Sequence, residues 1–207
     1  MTDSHRIETI DNLKSVIGEP MEFLLEKVVD SLDESMRGFI ARSPLVFVST
    51  IDSNGLPDVS PKGDPAGFVQ VDRQGNLLVP ERPGNRLTFG FHNILNNGQI
   101  GLIFVVPNER ETLRVKGRAS LRQDPEQLEK MAVKGKPALL YTHVDVTEAF
   151  FHCGKAMIRS KMWQPDSWGG REKSAMVRQL ASRMGGDEQL EEIIDAEVEK
   201  SYVEELY

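Results

Sequence analysis

At 207 residues the chain is long enough to bury a substantial core, and 39% apolar with 28% charged residues is the composition of a folded domain, not of a disordered segment. The net charge of −7 argues against nucleic acid, which calls for a broad basic face. One cysteine, Cys153, excludes an internal disulfide and a cysteine-cluster metal site.

Two helices are expected first. Thr9 to Ile17 reads as a short one, stopped by Gly18 and Pro20. From Pro20 to Ala41 the apolar stripe Leu25, Val28/Val29, Leu32, Met36 and Phe39/Ile40 has helical period, with Asp30, Asp33 and Glu34 as a solvated face. The period then changes to that of strands. Candidates are Leu45–Ile51, Leu56–Ser60, Gly67–Asp72, Asn76–Pro80, Gln99–Val106, Glu111–Arg122 and Leu139–Thr147, joined by turn-forming sequences such as Asp52-Ser53-Asn54-Gly55. Helical segments at Asn85 to Leu95 and Pro125 to Lys134 interrupt the series. Short turns between strands point to an antiparallel barrel and away from βαβ units.

A helical tail follows, Glu172 to Met184 and then an acidic helix capped by Asp187. The expected organisation is one domain over residues 1–207, mainly β with helical ends: helices in 1–42, barrel in 43–150, helical segment in 151–207. The tail reads alternatively as a separate dimerisation arm. No apolar run approaches the ~20 residues that span a bilayer. The polar N-terminus leads into no signal-type apolar core, so no membrane partner and a cytoplasmic location are expected.

Charge is unevenly spread. Residues 171–207 carry 5 Lys/Arg against 10 Asp/Glu, whereas His152 to Trp163 holds Lys155, Arg159 and Lys161 with no acid. An acidic protein with a local basic cluster suits a small anionic ligand. The four histidines have no metal-ligand spacing, so no metal is expected. His152 and Cys153 are adjacent on a strand and point to opposite faces, so Cys153 reads as an inert buried thiol. Asp145 and Glu148 offer an acid and a base, or are solvated strand-end carboxylates, and no catalytic residue is named. Two loops stand out. In Asp58-Val59-Ser60-Pro61-Lys62-Gly63-Asp64 a strand stops at proline with a hydroxyl beside a cation. In Pro80-Glu81-Arg82-Pro83-Gly84-Asn85-Arg86 a rigid loop with two arginines opens a helix, whose free N–H groups and dipole favour phosphate. Each alone is also ordinary turn chemistry with solvated arginines.

The ordered series S-P-L-V-F-V-S-T-I-D-S-N-G-L-P-D-V-S-P-K-G-D, L-L-V-P-E-R-P-G-N-R, I-G-L-I-F-V-V-P and E-T-L-R-V-K-G-R-A resembles the FMN-binding split barrels related to pyridoxamine 5′-phosphate oxidase, and among them a bacterial subgroup of probable FMN-dependent enzymes. The resemblance covers about residues 40–165. It implies an antiparallel split β-barrel and a homodimer with FMN between subunits. It assigns Ser60, Pro61 and Lys62 to the flavin and ribityl chain, Val79 and Pro80 to the ring or ribityl, and Asn85 and Arg86 to the phosphate. Thr112 and Arg114 would touch the flavin of the second subunit. Lys155, Arg159, Ser160 and Trp163 resemble the subgroup's final site segment, and Trp168 is a further candidate wall, or both tryptophans pack on the core.

The arginine, leucine and histidine pattern with which pyridoxamine phosphate oxidases grip the substrate phosphate is missing; Trp163 to Arg171 stands there instead. The resemblance therefore implies an FMN-dependent oxidoreductase acting on a small molecule, without naming it. Pyridoxamine 5′-phosphate oxidase activity, a non-enzymatic flavin carrier or sensor, and a deazaflavin or haem protein are the alternatives.

Overall fold

A computed structural model describes residues 5–170 and 172–207; residues 1–4 and Arg171, the last of the stretch beginning at Trp163, lie outside it. The Thr9 side chain accepts the Asn12 N–H and opens α1 (Ile10–Ile17), which Gly18 ends. The continuous helix expected from Pro20 to Ala41 does not form. In its place are a 3-10 turn at Glu22–Leu24, a further turn over 25–27, an isolated bridge at Val29, and α2 (Glu34–Arg42). Long-range pairing decides the break: Val29 exchanges both backbone hydrogen bonds with Ala149, at 3.0 and 2.7 Å. Asp33, expected on a solvated face, caps α2 by accepting the Met36 N–H at 2.8 Å.

Seven strands follow: β1 (Leu45–Ile51), β2 (Pro57–Gly63), β3 (Gln70–Val71), β4 (Leu77–Glu81), β5 (Gln99–Val105), β6 (Thr112–Arg122) and β7 (Leu140–His152). Helix α3 (Phe89–Asn97) separates β4 from β5, and α4 (Pro125–Lys130) separates β6 from β7. β3 is shorter than expected, and β7 runs on to His152. All pairings are antiparallel, in the order β2-β1-β5-β6-β7-β4-β3. At the bulge between Lys116 and Gly117 a Cβ on Gly117 would lie 2.3 Å from the Asp145 carbonyl oxygen, so only glycine fits.

Among the described residues no ladder closes this sheet, since β2 and β3 are its edges. It is nevertheless curled. Val46 and Val48 of β1 share one buried cluster with Leu77 and Val79 of β4, although β5, β6 and β7 separate the two strands in the sheet. Edge strand β2 faces β4 across the open seam, where side chains make the connection: Lys62 to Glu81 and Asp64 to Arg82. The result is a split antiparallel barrel. Met36, Phe39 and Ile40 of α2 and Ile94 of α3 join the same core, each large apolar side chain contributing roughly 1.5–3 kcal/mol.

Beyond the barrel lie α5 (Lys155–Arg159), α6 (Ala175–Arg183) and α7 (Glu188–Glu204). Asp187 caps α7 as expected, accepting from Gln189 and Leu190 N–H. Val177 and Ala181 of α6 are buried, and Leu190, Ile194 and Val198 of α7 are half-buried. Among the described residues no helix is long and apolar enough to cross a membrane.

Candidate functional site

Alternation along β2 turns Asp58, Ser60 and Lys62 inward, beside Thr50, Val48 and Val46 of β1. Leu77, Val79 and Glu81 of β4 share the inner face with Val144, Thr142 and Leu140 of β7. Where β2 and β4 fail to pair, the seam opens into a cavity of about 620 Å³, within the range of small-molecule sites. Helix α3 closes one side of it. Asn93 Nδ2 donates to Thr50 Oγ1 at 3.0 Å and Asn97 Nδ2 to the Ile51 carbonyl at 2.6 Å, fixing α3 on β1. Val48, Phe68, Val79, Phe91, Ile100 and Leu139 make the apolar wall.

Two ion pairs cross the seam. Lys62 Nζ lies 2.5 Å from Glu81 Oε2 and 5.1 Å from the Phe91 ring centroid; Glu81 Oε1 accepts the Thr142 hydroxyl at 3.0 Å. Burial pushes the Glu81 carboxyl above its ordinary range, against the opposing pull of Lys62 and Thr142. One step along, Arg82 Nε donates to Asp64 Oδ2 at 2.7 Å and Arg82 Nη2 to the Met131 carbonyl at 2.7 Å. The Tyr207 hydroxyl donates to Asp64 Oδ1 at 3.1 Å, and Leu206 and Tyr207 line the cavity.

The loop arginines therefore have different roles. Arg82 is built into the wall with its side chain only 13% exposed, whereas Arg86 is exposed at the cavity rim. Arg86 and Thr88 hold left-handed backbone, at φ 60° and 53°, a strained conformation in a loop at the cavity rim. Asn85 Oδ1 accepts the Leu87 N–H at 3.0 Å. The helix expected to open at Asn85 begins at Phe89, after this loop; left-handed Arg86 and Thr88 do not belong to a right-handed helix.

Of the residues expected at the site, Ser60, Pro61, Lys62, Val79, Pro80, Asn85 and Arg86 all line the cavity. Thr112, Arg114, Lys155, Arg159, Ser160 and Trp163 do not, and they gather elsewhere, around the turn between β5 and β6. Thr112 pairs with His152, Trp163 Nε1 donates to the Glu109 carbonyl at 2.6 Å, and a Cβ on Gly154 would lie 2.5 Å from that of Arg110. Lys155 and Arg159 are the first and last residues of α5, which follows Gly154 directly, and Ser160 is its C-cap. Trp168 is exposed, and so is Cys153, expected as a buried thiol: it lies past the end of β7, outside the packed core.

Arg114 lies on the outer face, in a row that crosses the sheet as Pro61, Phe47, Ile103, Arg114 and Phe150. Phe47 and Ile103 are each 39% exposed. The Arg114 guanidinium and the Lys27 ammonium sit 5.1 and 5.6 Å from the Phe150 ring centroid.

Thr142, Leu206 and Tyr207 were not expected at the site; Asp64, Glu81 and Arg82 belong to the two loops singled out in the sequence, but none was assigned a place against the ligand. Glu81 had a signal, an acid closing an otherwise apolar strand. The placement of Tyr207 had none, because it depends on how the tail folds back.

Family comparison is consistent with this architecture. The family profile described as pyridoxamine 5′-phosphate oxidase matches residues 32–153. Similar solved structures include HupZ of Group A Streptococcus, at 19% identity over 58% of this chain and 93% of that one, TM-score 0.47. A putative pyridoxamine 5′-phosphate oxidase of Lactobacillus delbrueckii gives 21% over 59% and 95%, TM-score 0.46. HutZ, the haem storage protein of Vibrio cholerae, gives 12% over 58% and 94%, TM-score 0.38. No curated protein matches the chain.

Proposed function

The chain belongs to the pyridoxamine 5′-phosphate oxidase family, and we propose that its cavity holds FMN and that the protein is an FMN-dependent oxidoreductase for a small molecule. The carrying observation is the combination, in one cavity, of an apolar slot with an exposed arginine on a strained loop before α3. A flavin needs both an apolar wall for its ring and cations with backbone donors for its phosphate. Arg86 and the N–H groups of the 84–88 loop would hold the phosphate, Asn85 shaping that loop. Ser60, Pro61, Lys62, Val79 and Pro80 would line the ribityl and ring.

When bound, FMN supplies the hydride chemistry. The chain's part is to orient the ring, keep water from one face, and fix the charge beside it. The described cavity lining contains no His, Cys or Met, and Tyr207, the other common haem-ligand type there, has its hydroxyl bonded to Asp64, which favours flavin over haem.

The second part of the proposal is a homodimer. Thr112 and Arg114 lie outside the cavity of their own chain, and the half-exposed row of Phe47 and Ile103 leaves apolar surface on the same outer face. A second copy packed there would cover that row and bring Thr112, Arg114 and the Lys155, Arg159, Ser160 and Trp163 group toward its neighbour's flavin.

The absorbance spectrum of the purified protein, taken after FMN is added and the excess removed, tests the cofactor. A bound yellow chromophore is expected, and a colourless protein sinks the proposal. Arg86→Ala should weaken FMN retention by roughly 2–5 kcal/mol, the cost of leaving a buried phosphate without its partner. Anaerobic mixing of the yellow protein with NADH or NADPH tests the oxidoreductase reading: rapid bleaching is expected of an enzyme, and a carrier stays yellow.

A further inference from the structure

Lys62 and Glu81 form a compensated pair at the cavity wall. Each approaches from a different strand across the seam, and no ladder holds them together. The Glu81 side chain is 6% exposed and that of Lys62 21%, so the carboxylate is the more completely desolvated of the two. The groups around Glu81 are few. From β2 come Lys62 and, one step on, Asp64; from β4 its neighbour Arg82, already bonded to Asp64; from β7 the Thr142 hydroxyl; from α3 the apolar Phe91 above Lys62; and from the tail Tyr207, bonded to Asp64. Asp64 and Arg82 neutralise each other, and Asp58 faces the same cavity four residues before Lys62 on β2, so the local charge that can change at this point of the wall is that of the Lys62–Glu81 pair.

A ligand that accepts a hydrogen bond from Lys62 competes with Glu81 for that ammonium. Flavin is rich in carbonyl and ring-nitrogen acceptors. If Lys62 turns to such a ligand, Glu81 keeps Thr142 alone and faces electron-rich atoms from a buried position, where an under-paired carboxylate is expensive. A proton taken from solvent removes the charge and converts an acceptor into a donor.

We propose that Glu81 is a positioning residue that holds Lys62 in the unliganded cavity and takes up a proton as a flavin docks on Lys62. The idea rests on the FMN reading above and adds to it a proton coupled to binding. Glu81 thereby sets the net charge of its pair with Lys62, neutral when both are ionised and positive once Glu81 is protonated.

Calorimetric titration of the flavin-free protein with FMN tests this, in pairs of buffers that differ in ionisation enthalpy, across mildly acidic to alkaline pH. Wild type is expected to take up a fraction of a proton approaching one. Its affinity should fall as pH rises, by up to ~tenfold per pH unit where Glu81 ionises. Glu81→Gln should lose that slope and bind FMN more tightly than wild type at alkaline pH, and Glu81→Asp should restore a slope. The FMN phosphate titrates near pH ~6 in both proteins, so the difference between them isolates Glu81. A purely structural Glu81 would shift affinity equally at every pH.

FMN binding by wild type with no slope beyond that of Glu81→Gln overturns the role of Glu81 alone. Should Glu81→Gln fail to fold, riboflavin, which lacks the phosphate, replaces it as the control; wild type binding riboflavin without proton uptake overturns the role equally. No FMN binding by wild type at any pH removes the cofactor reading and this inference with it.

Discussion

The two groups of expected site residues differ in how completely their surroundings use them. At the seam, Lys62 and Arg82 are already engaged, each bonded to a carboxylate from the facing strand. Around the β5–β6 turn and the outer face, Arg159 and Ser160 are exposed, and the apolar Phe47 and Ile103 are open to solvent. The seam cations find their carboxylates within a single chain, although Arg82 Nη1 is buried without a hydrogen bond, whereas the outer-face group has the character of half of a shared surface. A cation's sequence context does not reveal which it is, because the deciding partner lies across the fold.

Breaking a seam pair should give the largest effect. Arg82→Met leaves Asp64, 1% exposed, with only the Tyr207 hydroxyl and its own backbone contacts, and stability should drop by about 3–5 kcal/mol in urea denaturation. The equivalent change at Arg42, whose 2.7 Å pair with Glu109 is exposed, should cost under ~1 kcal/mol. Equal costs would erase the distinction between the regions. Next comes the outer face. Phe47→Lys with Ile103→Lys should convert a dimer to a monomer in sedimentation equilibrium, each anchor being worth about 2 kcal/mol or more. The buried core should survive, since neither side chain belongs to it. A monomeric wild type would remove the shared-surface half of the comparison.

Arg86 gives a smaller, two-sided effect. Its left-handed backbone costs an arginine about 1 kcal/mol that glycine avoids. Arg86→Gly should thus raise thermal stability by up to that amount while losing FMN, and Arg86→Ala should lose FMN with no such gain. If both variants lower stability alike, the arginine side chain supports the loop and is not reserved for ligand.

The positions of the strands along the chain, the Gly18 stop of α1, the Asp187 cap of α7 and the two motifs were legible because they rest on local chemistry: β-branched alternation, turn residues, a glycine after a helix and an Asp before one. What escaped rests on distant contacts. The stripe through Val28 and Val29 has helical period, yet Val29 bonds to Ala149, 120 residues away in the chain, and the helix gives way. Both loop arginines look alike in sequence, and only the approach of β2 to β4 buries Arg82 and spares Arg86. In sequence the 84–88 loop passes for the first turn of α3, because its left-handed residues are an arginine and a threonine, which carry no glycine signal.

The smallest expected effect is in pH dependence, where a seam residue and a residue outside it pull in opposite directions. His143 lies on the outer side of β7, buried, its Nδ1 without a hydrogen bond, 3.6 Å from Asp145 and 3.8 Å from Asp72. Burial and then the nearby Arg122 lower its pKa from the usual 6.5, outweighing the two carboxylates. The unfolded chain therefore binds a proton at this site before the native protein does. Stability from His143 is present above pH 6.5 and is lost as pH falls toward the lower native value. Glu81 has the reverse sign. Its native pKa lies above the unfolded 4.5, so the native protein holds the extra proton, and stability rises as pH falls toward 4.5. The His143 contribution sets in just below pH 6.5 and that of Glu81 just above pH 4.5, so the wild-type profile should slope in opposite senses at the two ends of this range. His143→Gln should expose the acid-side gain of Glu81, and Glu81→Gln the acid-side loss of His143, in melting temperatures measured across that range. Parallel profiles for all three proteins would mean that neither group is desolvated in solution, and the seam would then differ from the rest of the barrel in geometry alone.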